Sequence, residues 1–221
     1  MKKTLLLAGV AGTLFALNAN AAGLSPYVGI KAVYTDVDAN LAYSDEGVSE
    51  KYNIGDKGLG GALAIGAKAD LPYGSIRAEL EYSKKADSKK SYTEFYGDKY
   101  STKIETQTYM INAYYDFDTG TKITPYVMGG IGYAKLKAKD QYWSEEYGKS
   151  LLNKTKFAWQ IGAGASYNIN NHLSVDAGYR YIDYGNAAAS ETVDLGGDEF
   201  ETEKLDIKSA NEIYLGMRYN F

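Results

Sequence analysis

The chain has 221 residues, a formal net charge of −4, no cysteine, and 22 tyrosines against 3 prolines. The missing cysteines exclude a disulfide framework and thiol chemistry. The acidic balance argues against nucleic acid or heparin-like polyanions as partners.

Lys2 and Lys3 open the chain, residues 5–17 are apolar, and Ala19-Asn20-Ala21 is a small-x-small site. That reads as a secretory signal peptide cut after Ala21, with an apolar run too short for a spanning helix. Residues 1–21 are therefore set aside as the signal peptide, and residues 22–221 are one domain of barrel type. Losing Lys2 and Lys3 takes the net charge from −4 to −6. No later stretch holds 18 consecutive apolar residues, so no helix spans a membrane. Strands that are apolar on one side only leave a weak signal and are not excluded.

The first strand is predicted over residues 25–36, with Val28, Ile30, Ala32 and Tyr34 on one face and Gly29, Lys31 and Thr35 on the other. A polar segment follows over 37–57. The second strand, 59–71, sets Leu63, Ile65, Ala67 and Ala69 against Gly60, Gly66, Lys68 and Asp70. Pro72-Tyr73-Gly74 is a tight turn. In the third strand Ile76, Ala78, Leu80 and Tyr82 alternate with Arg77, Glu79 and Glu81. Such alternation means a strand with one apolar face.

After a second long segment, 87–102, the fourth strand aligns Tyr109, Ile111, Ala113, Tyr115 and Phe117. Asp118-Thr119-Gly120 turns into the fifth strand, 123–138, with Val127, Ile131 and Tyr133 on one face. A third long segment covers 139–153. The sixth strand places Phe157, Trp159, Ile161, Ala163, Ala165 and Tyr167 together, and Asn170-Asn171 turns into the seventh, with Leu173, Val175, Ala177, Tyr179 and Tyr181. A fourth long segment spans 185–206. The last strand alternates Ile213, Leu215, Met217, Tyr219 and Phe221 with Tyr214, Gly216, Arg218 and Asn220.

Long and short connections alternate along the chain. An up-and-down barrel then carries three short turns at one end and four long loops at the other, the asymmetry of outer-membrane barrels. Tyr34, Tyr82, Tyr133 and Tyr181 fall near the loop end, and Tyr115, Tyr167 and Tyr219 near the turn end. Two tyrosine rings around an apolar band suit a bilayer with two interfaces. The expected fold is all-β: an eight-stranded antiparallel transmembrane barrel with short periplasmic turns and four long extracellular loops.

In that arrangement Lys31, Lys68, Arg77, Glu79, Glu81, Asp176, Arg180, Glu212 and Arg218 face the lumen. An eight-stranded barrel is just wide enough for side chains to fill it. Interior charges must then pair, so the expectation is a plugged core with Arg–Glu pairs. A charge cluster that sets ion selectivity is the alternative.

Signals for chemistry are weak. His172 is the sole histidine and sits at a turn, which favours a solvated residue over catalysis. Gly162-Ala163-Gly164-Ala165 and Gly129-Gly130-Ile131-Gly132 lie inside strands without a following helix, so they lack phosphate-cradle geometry. Asp36-Val37-Asp38-Ala39-Asn40 begins like a calcium loop, but Leu41 and Gly47 break the pattern. No catalytic, cofactor-binding or metal-binding residue is assigned. Glu191, Asp194, Asp198, Glu199, Glu201, Glu203 and Asp206 make the fourth loop acidic. They read as a solvated flexible loop, with a weak cation site or a basic partner as alternatives. Tyr43, Tyr92, Phe95, Tyr96, Tyr142, Trp143 and Tyr147 fall in loops 1 to 3 and are candidate contact residues.

The signal peptide, Pro26-Tyr27-Val28-Gly29, Pro125-Tyr126-Val127, Tyr179-Arg180-Tyr181 and the Tyr219-Asn220-Phe221 ending together resemble the opacity-type surface antigens. These are small outer-membrane barrels of Gram-negative bacteria. The resemblance implies a non-catalytic surface protein surrounded by outer-membrane lipid and lipopolysaccharide, binding a host or surface ligand through its loops. It also implies that Tyr219 and Phe221 form an assembly signal for the barrel assembly machinery. Family members that bind heparan sulfate use basic loops, whereas loops 1 and 4 here are acidic. Two other readings stand beside this one: a small diffusion channel, which needs a hydrated lumen, and a lipid-modifying enzyme. Lipid A acyltransferases and deacylases of this size rely on a histidine near the outer leaflet, and this chain has none there.

Overall fold

The computed structural model describes residues 23–45, 48–53, 56–85, 88–93, 99–141, 150–194 and 200–221; its side chains are described within 23–38, 57–85, 105–137, 154–185 and 208–221. The described residues form ten strands and no helix. They are β1 (Ser25–Asp45), β2 (Val48–Asn53), β3 (Asp56–Leu71), β4 (Gly74–Lys85), β5 (Ser88–Thr93), β6 (Lys99–Phe117), β7 (Ile123–Gln141), β8 (Ser150–Asn168), β9 (Leu173–Asp194) and β10 (Phe200–Asn220).

All pairs are antiparallel, in the order β10-β9-β8-β7-β6-β4-β3-β1, and β10 pairs back onto β1 to close the barrel. Eight strands build the wall. β2 continues β3 along β1 without a register shift. β5 continues β4 along β6.

Strand tilt follows from the register. The row through Tyr27 runs Gly66, Glu79, Asn112, Gly130, Gln160, Ile182 and Ala210, and re-enters β1 at Val37, ten residues further on. A staggered closure of this kind requires tilted strands and sets the barrel's width.

Three tight turns occupy one end. Gly120 adopts φ 65°, where a side chain would be strained, and its N–H donates to Asp118 Oδ1 at 2.9 Å. Asn170 Oδ1 accepts from the amides of His172 and Leu173 at 2.9 and 2.8 Å, an Asx turn.

At the other end the structure corrects the sequence reading. Much of the four long segments is paired strand rather than loop: β1 runs to Asp45, β7 to Gln141 and β9 to Asp194. At about 3.3 Å per residue, a strand of 21 or 22 residues far exceeds a hydrocarbon core of about 30 Å, even when tilted. Beyond the band the outer face no longer has to be apolar, so the apolar alternation stops while the backbone ladder continues. That is why polarity alone reads there as loop.

The wall is inside-out relative to a water-soluble barrel. Leu63 is 60% exposed, whereas Arg180 is fully buried. Ile30, Ile76, Leu80, Ile111, Ile131, Ile161, Leu215 and Met217 form the exposed apolar band. Tyr82, Tyr109, Tyr133 and Phe157 are register partners across four strands and make one aromatic row near the loop end. Near the turn end Tyr115 packs on Phe117 at 4.9 Å and Tyr219 on Phe221 at 5.4 Å.

Candidate functional site

The lumen is the most organised part of the molecule. Alternation sends Arg77, Glu79 and Glu81 of β4 inward, opposite Lys31 of β1 and Arg180 of β9. Lys31 Nζ lies 2.8 Å from Glu79 Oε1 and 2.5 Å from Glu81 Oε2. Arg180 holds Glu81 and Glu212 at 2.6 Å each. Glu212 also accepts from Thr35 Oγ1 at 2.9 Å. Glu79 accepts from the hydroxyls of Tyr27 and Tyr114 at 3.2 and 2.8 Å. Five strands are thus tied through one charge network across the lumen.

Nearer the turn end, Arg77 grips Asp116 with two bonds of 2.8 Å, and Ser75 donates to the same carboxylate at 3.1 Å. Arg218 lies 3.6 Å from Asp176, which accepts from Ser166. Tyrosine rings cover the cations: Arg77 stands 4.1 Å from the Tyr114 centroid and Arg218 5.3 Å from that of Tyr27. Such stacking is favourable for desolvated guanidinium groups. The Tyr126 and Tyr214 hydroxyls bond each other at 2.9 Å.

Toward the loop end apolar side chains join the buried Ser83, Lys85, Thr106 and Thr108 in the interior. Val37, Leu136, Ile182 and Tyr184 are each at most 1% exposed. Among the described residues the buried charges balance, with Lys31, Arg77, Lys85, Arg180 and Arg218 against Glu79, Glu81, Asp116, Asp176 and Glu212. The arrangement holds paired charges and packed side chains. Among the described residues no row of like charges lines the interior.

Of the nine lumen residues expected from the sequence, eight lie in this interior. Lys68 does not join them: it pairs with Asp70 at 3.0 Å near the turn end, where both side chains meet solvent. Its position so close to the Pro72 turn is the physical reason. Sequence reasoning missed Asp116, Tyr27, Tyr114, Tyr126 and Tyr214. The alternation that sent Tyr115 and Phe117 outward already implied that Tyr114 and Asp116 point in.

His172 is exposed at its turn, stacked on Tyr219 at 5.9 Å, with Nδ1 3.0 Å from the Asn220 carbonyl oxygen. Tyr43 and Tyr92 fall on β1 and β5 rather than in loops. Phe95, Tyr96, Tyr142, Trp143 and Tyr147 lie outside the described residues, as do Asp198 and Glu199. The flexible-loop reading of the acidic segment is also corrected. Glu191 and Asp194 stand on β9, and Glu201, Glu203 and Asp206 on β10, with Glu191 the register partner of Glu203. On the outer wall near the loop end, Lys57 pairs with Asp36 at 3.0 Å. That hydrogen bond, and then the carboxylate's charge, raise the Lys57 ammonium above the ordinary lysine value.

Comparisons with known proteins agree with this architecture. Residues 4–221 match the outer membrane protein β-barrel domain family. Outer membrane protein PagN of Salmonella typhimurium is 33% identical over 175 residues, 74% of this chain and 73% of that protein. The 31 kDa outer-membrane immunogenic protein of Brucella melitensis is 24% identical over 205 residues, 88% of this chain and 82% of that protein. The crystal structure of Neisserial surface protein A shares the fold with a TM-score of 0.53 at 20% identity, covering 90% of this chain and 99% of that one. With its lipid-facing apolar band, paired aromatic zones and turn-and-loop asymmetry, this chain belongs to the outer membrane protein β-barrel domain family and resides in the Gram-negative outer membrane.

Proposed function

We propose that the protein is a non-catalytic surface scaffold: a sealed barrel whose strands continue past the outer leaflet to present a contact surface to a partner. The observation that carries this reading is the buried, ion-paired interior of the described wall. Interlocked charges and buried side chains support a sealed barrel, which leaves the extended strands and their tips for function. Tyr43 and Tyr92 stand on those extended strands, and together with Phe95, Tyr96, Tyr142, Trp143 and Tyr147 they are the proposed contact residues. Aromatic anchors of this kind dominate binding energy at protein interfaces. The Brucella relative is an immunogenic outer-membrane protein, which fits a surface that is seen from outside. In the same reading, Tyr219 and Phe221 serve recognition by the barrel assembly machinery, and residues 1–21 are removed on export.

Two measurements test the proposal. In a planar bilayer, the refolded protein is expected to give no conductance steps above the bare membrane; steady, ion-selective steps would give the diffusion channel first place. On whole cells, replacing all four outer hairpins with short turns is expected to abolish attachment to host-cell monolayers while the barrel still inserts. Undiminished attachment would defeat the scaffold reading.

A further inference from the structure

The wall does not stay closed over the full height of its strands. The last register pair between β8 and β9 is Trp159↔Asp183, yet β8 reaches back to Ser150 along β7 and β9 runs on to Asp194 along β10. Among the described residues β2 pairs with β1 alone and β5 with β6 alone. The part beyond the membrane is therefore two four-stranded sheets, β5-β6-β7-β8 and β9-β10-β1-β2, and the seam between β8 and β9 is open.

A bulge opens that seam. Ser209 pairs with Asp183 and Ile207 with Ala187, so Tyr184, Gly185 and Asn186 stand opposite Lys208 alone. Gly185 adopts φ 64°, a conformation that favours glycine, and its N–H donates to Asp183 Oδ1 at 2.7 Å. A bulge of this kind bends its strand and ends pairing on one side. β9 thus stays with β10 and leaves β8.

An edge strand leaves every second residue's N–H and C=O without a strand partner. Hydrocarbon would not tolerate that, but the free edge of β8, from Ser150 to Ala158, stands at and beyond the aromatic row of Phe157, where water is at hand. The same groups pair with an extended chain when it adds a strand to a sheet. Lys154 and Lys156 stand on this edge strand, and no carboxylate lies between Ser150 and Ala158. The opposite edge, on β9, carries Glu191 and Asp194. Lysine on an edge discourages pairing with apolar strands and favours an acidic one.

We propose that the free edge of β8 takes up an extended acidic segment of a partner protein as an added strand. This rests on the scaffold reading and specifies how the scaffold holds its partner. Backbone hydrogen bonds supply the affinity, and Lys154 and Lys156 select carboxylates. The side chains of the guest strand alternate between the two faces of the sheet.

Fluorescence anisotropy on the refolded protein in lipid nanodiscs tests this. The probe is a labelled peptide that alternates valine with glutamate and threonine and matches the β8 edge in length. Two further versions carry N-methyl groups on one or the other alternate set of residues, and a third has lysine in place of glutamate. The unmodified acidic peptide is expected to bind and to slow amide exchange in residues 150–158. One N-methylated version should bind at least about tenfold more weakly while the other keeps its affinity, because only alternate residues of a strand bond to a given neighbour. The lysine version should bind about tenfold more weakly than the acidic one, and K154E/K156E should reverse that order. No binding of the acidic peptide, equal loss from both N-methylated versions, unchanged exchange in residues 150–158, or the same charge preference in K154E/K156E would each overturn strand addition. If any of these came together with attachment that the outer hairpins still mediate, the scaffold reading would stand and this mode of holding a partner would fall.

Discussion

Arg77 and Asp116 show how the interior is stabilised one residue at a time. Both are almost fully buried, and their two parallel bonds of 2.8 Å leave little of either charge uncompensated. Removing one partner strands the other in a low-dielectric core. Arg77→Met is expected to cost about 3–5 kcal/mol in urea unfolding followed in micelles. The double change Arg77→Met with Asp116→Leu should recover most of that loss, because a well-packed apolar pair replaces the ions. A double variant no better than the single would mean that the pair does more than satisfy itself. Gly66 supplies a second case. Gly66→Ala should cost about 1–3 kcal/mol through crowding against Tyr27 and Ala78, while Gly61→Ala should be near neutral in the same measurement. The residue scale was only partly legible. Alternation reveals which way Glu79 points; it does not reveal that Lys31 and Tyr114, 48 and 35 positions away, converge on it.

The strands obey two different rules along their length. Inside the membrane each must present an apolar outer face, so its pattern is sharp and its boundaries at the tight turns are readable. Outside, only backbone pairing persists, and the same strands lose their signature. The barrel ladder between β4 and β6 extends from Gly74↔Phe117 to Lys84↔Gln107, and β5 adds its own short ladder beyond it. Replacing residues 87–104 with an Asn-Gly turn, a favoured two-residue hairpin connection, is therefore expected to leave the unfolding midpoint of the barrel unchanged. A chain that no longer refolds would show that the outer hairpin helps to close the wall.

At the scale of the whole molecule, closure links every strand to the last. β10 pairs with β1 from Tyr27↔Asn220 to Ser44↔Thr202, and the Phe221 amide donates to the Pro26 carbonyl at 3.0 Å. The polar interior reinforces this register. A slip of one residue would turn Arg180 and Glu212 into lipid and Leu215 into the lumen, an error the hydrocarbon core strongly disfavours. Because the ion pairs are buried, salt should barely reach them. The unfolding midpoint is expected to stay nearly constant from low salt to about 1 M, where the Debye length shrinks to about 3 Å. A marked salt dependence would point to water penetrating the network.

The sequence by itself determined the eight strands of the wall, the face each membrane strand shows to lipid and the place of the three tight turns. These follow from local alternation and turn chemistry, which need no partner. Tertiary structure decided what lies between sequence-distant positions. The ten-residue stagger brings Lys31 to Glu79 and Glu81, and Arg180 to Glu212. It sets Lys84 and Lys135 in one outward row, and it carries β1, β7 and β9 past the membrane as paired strands. The reason is physical: register belongs to pairs of strands and to closure of the whole sheet, and no single stretch of chain encodes it.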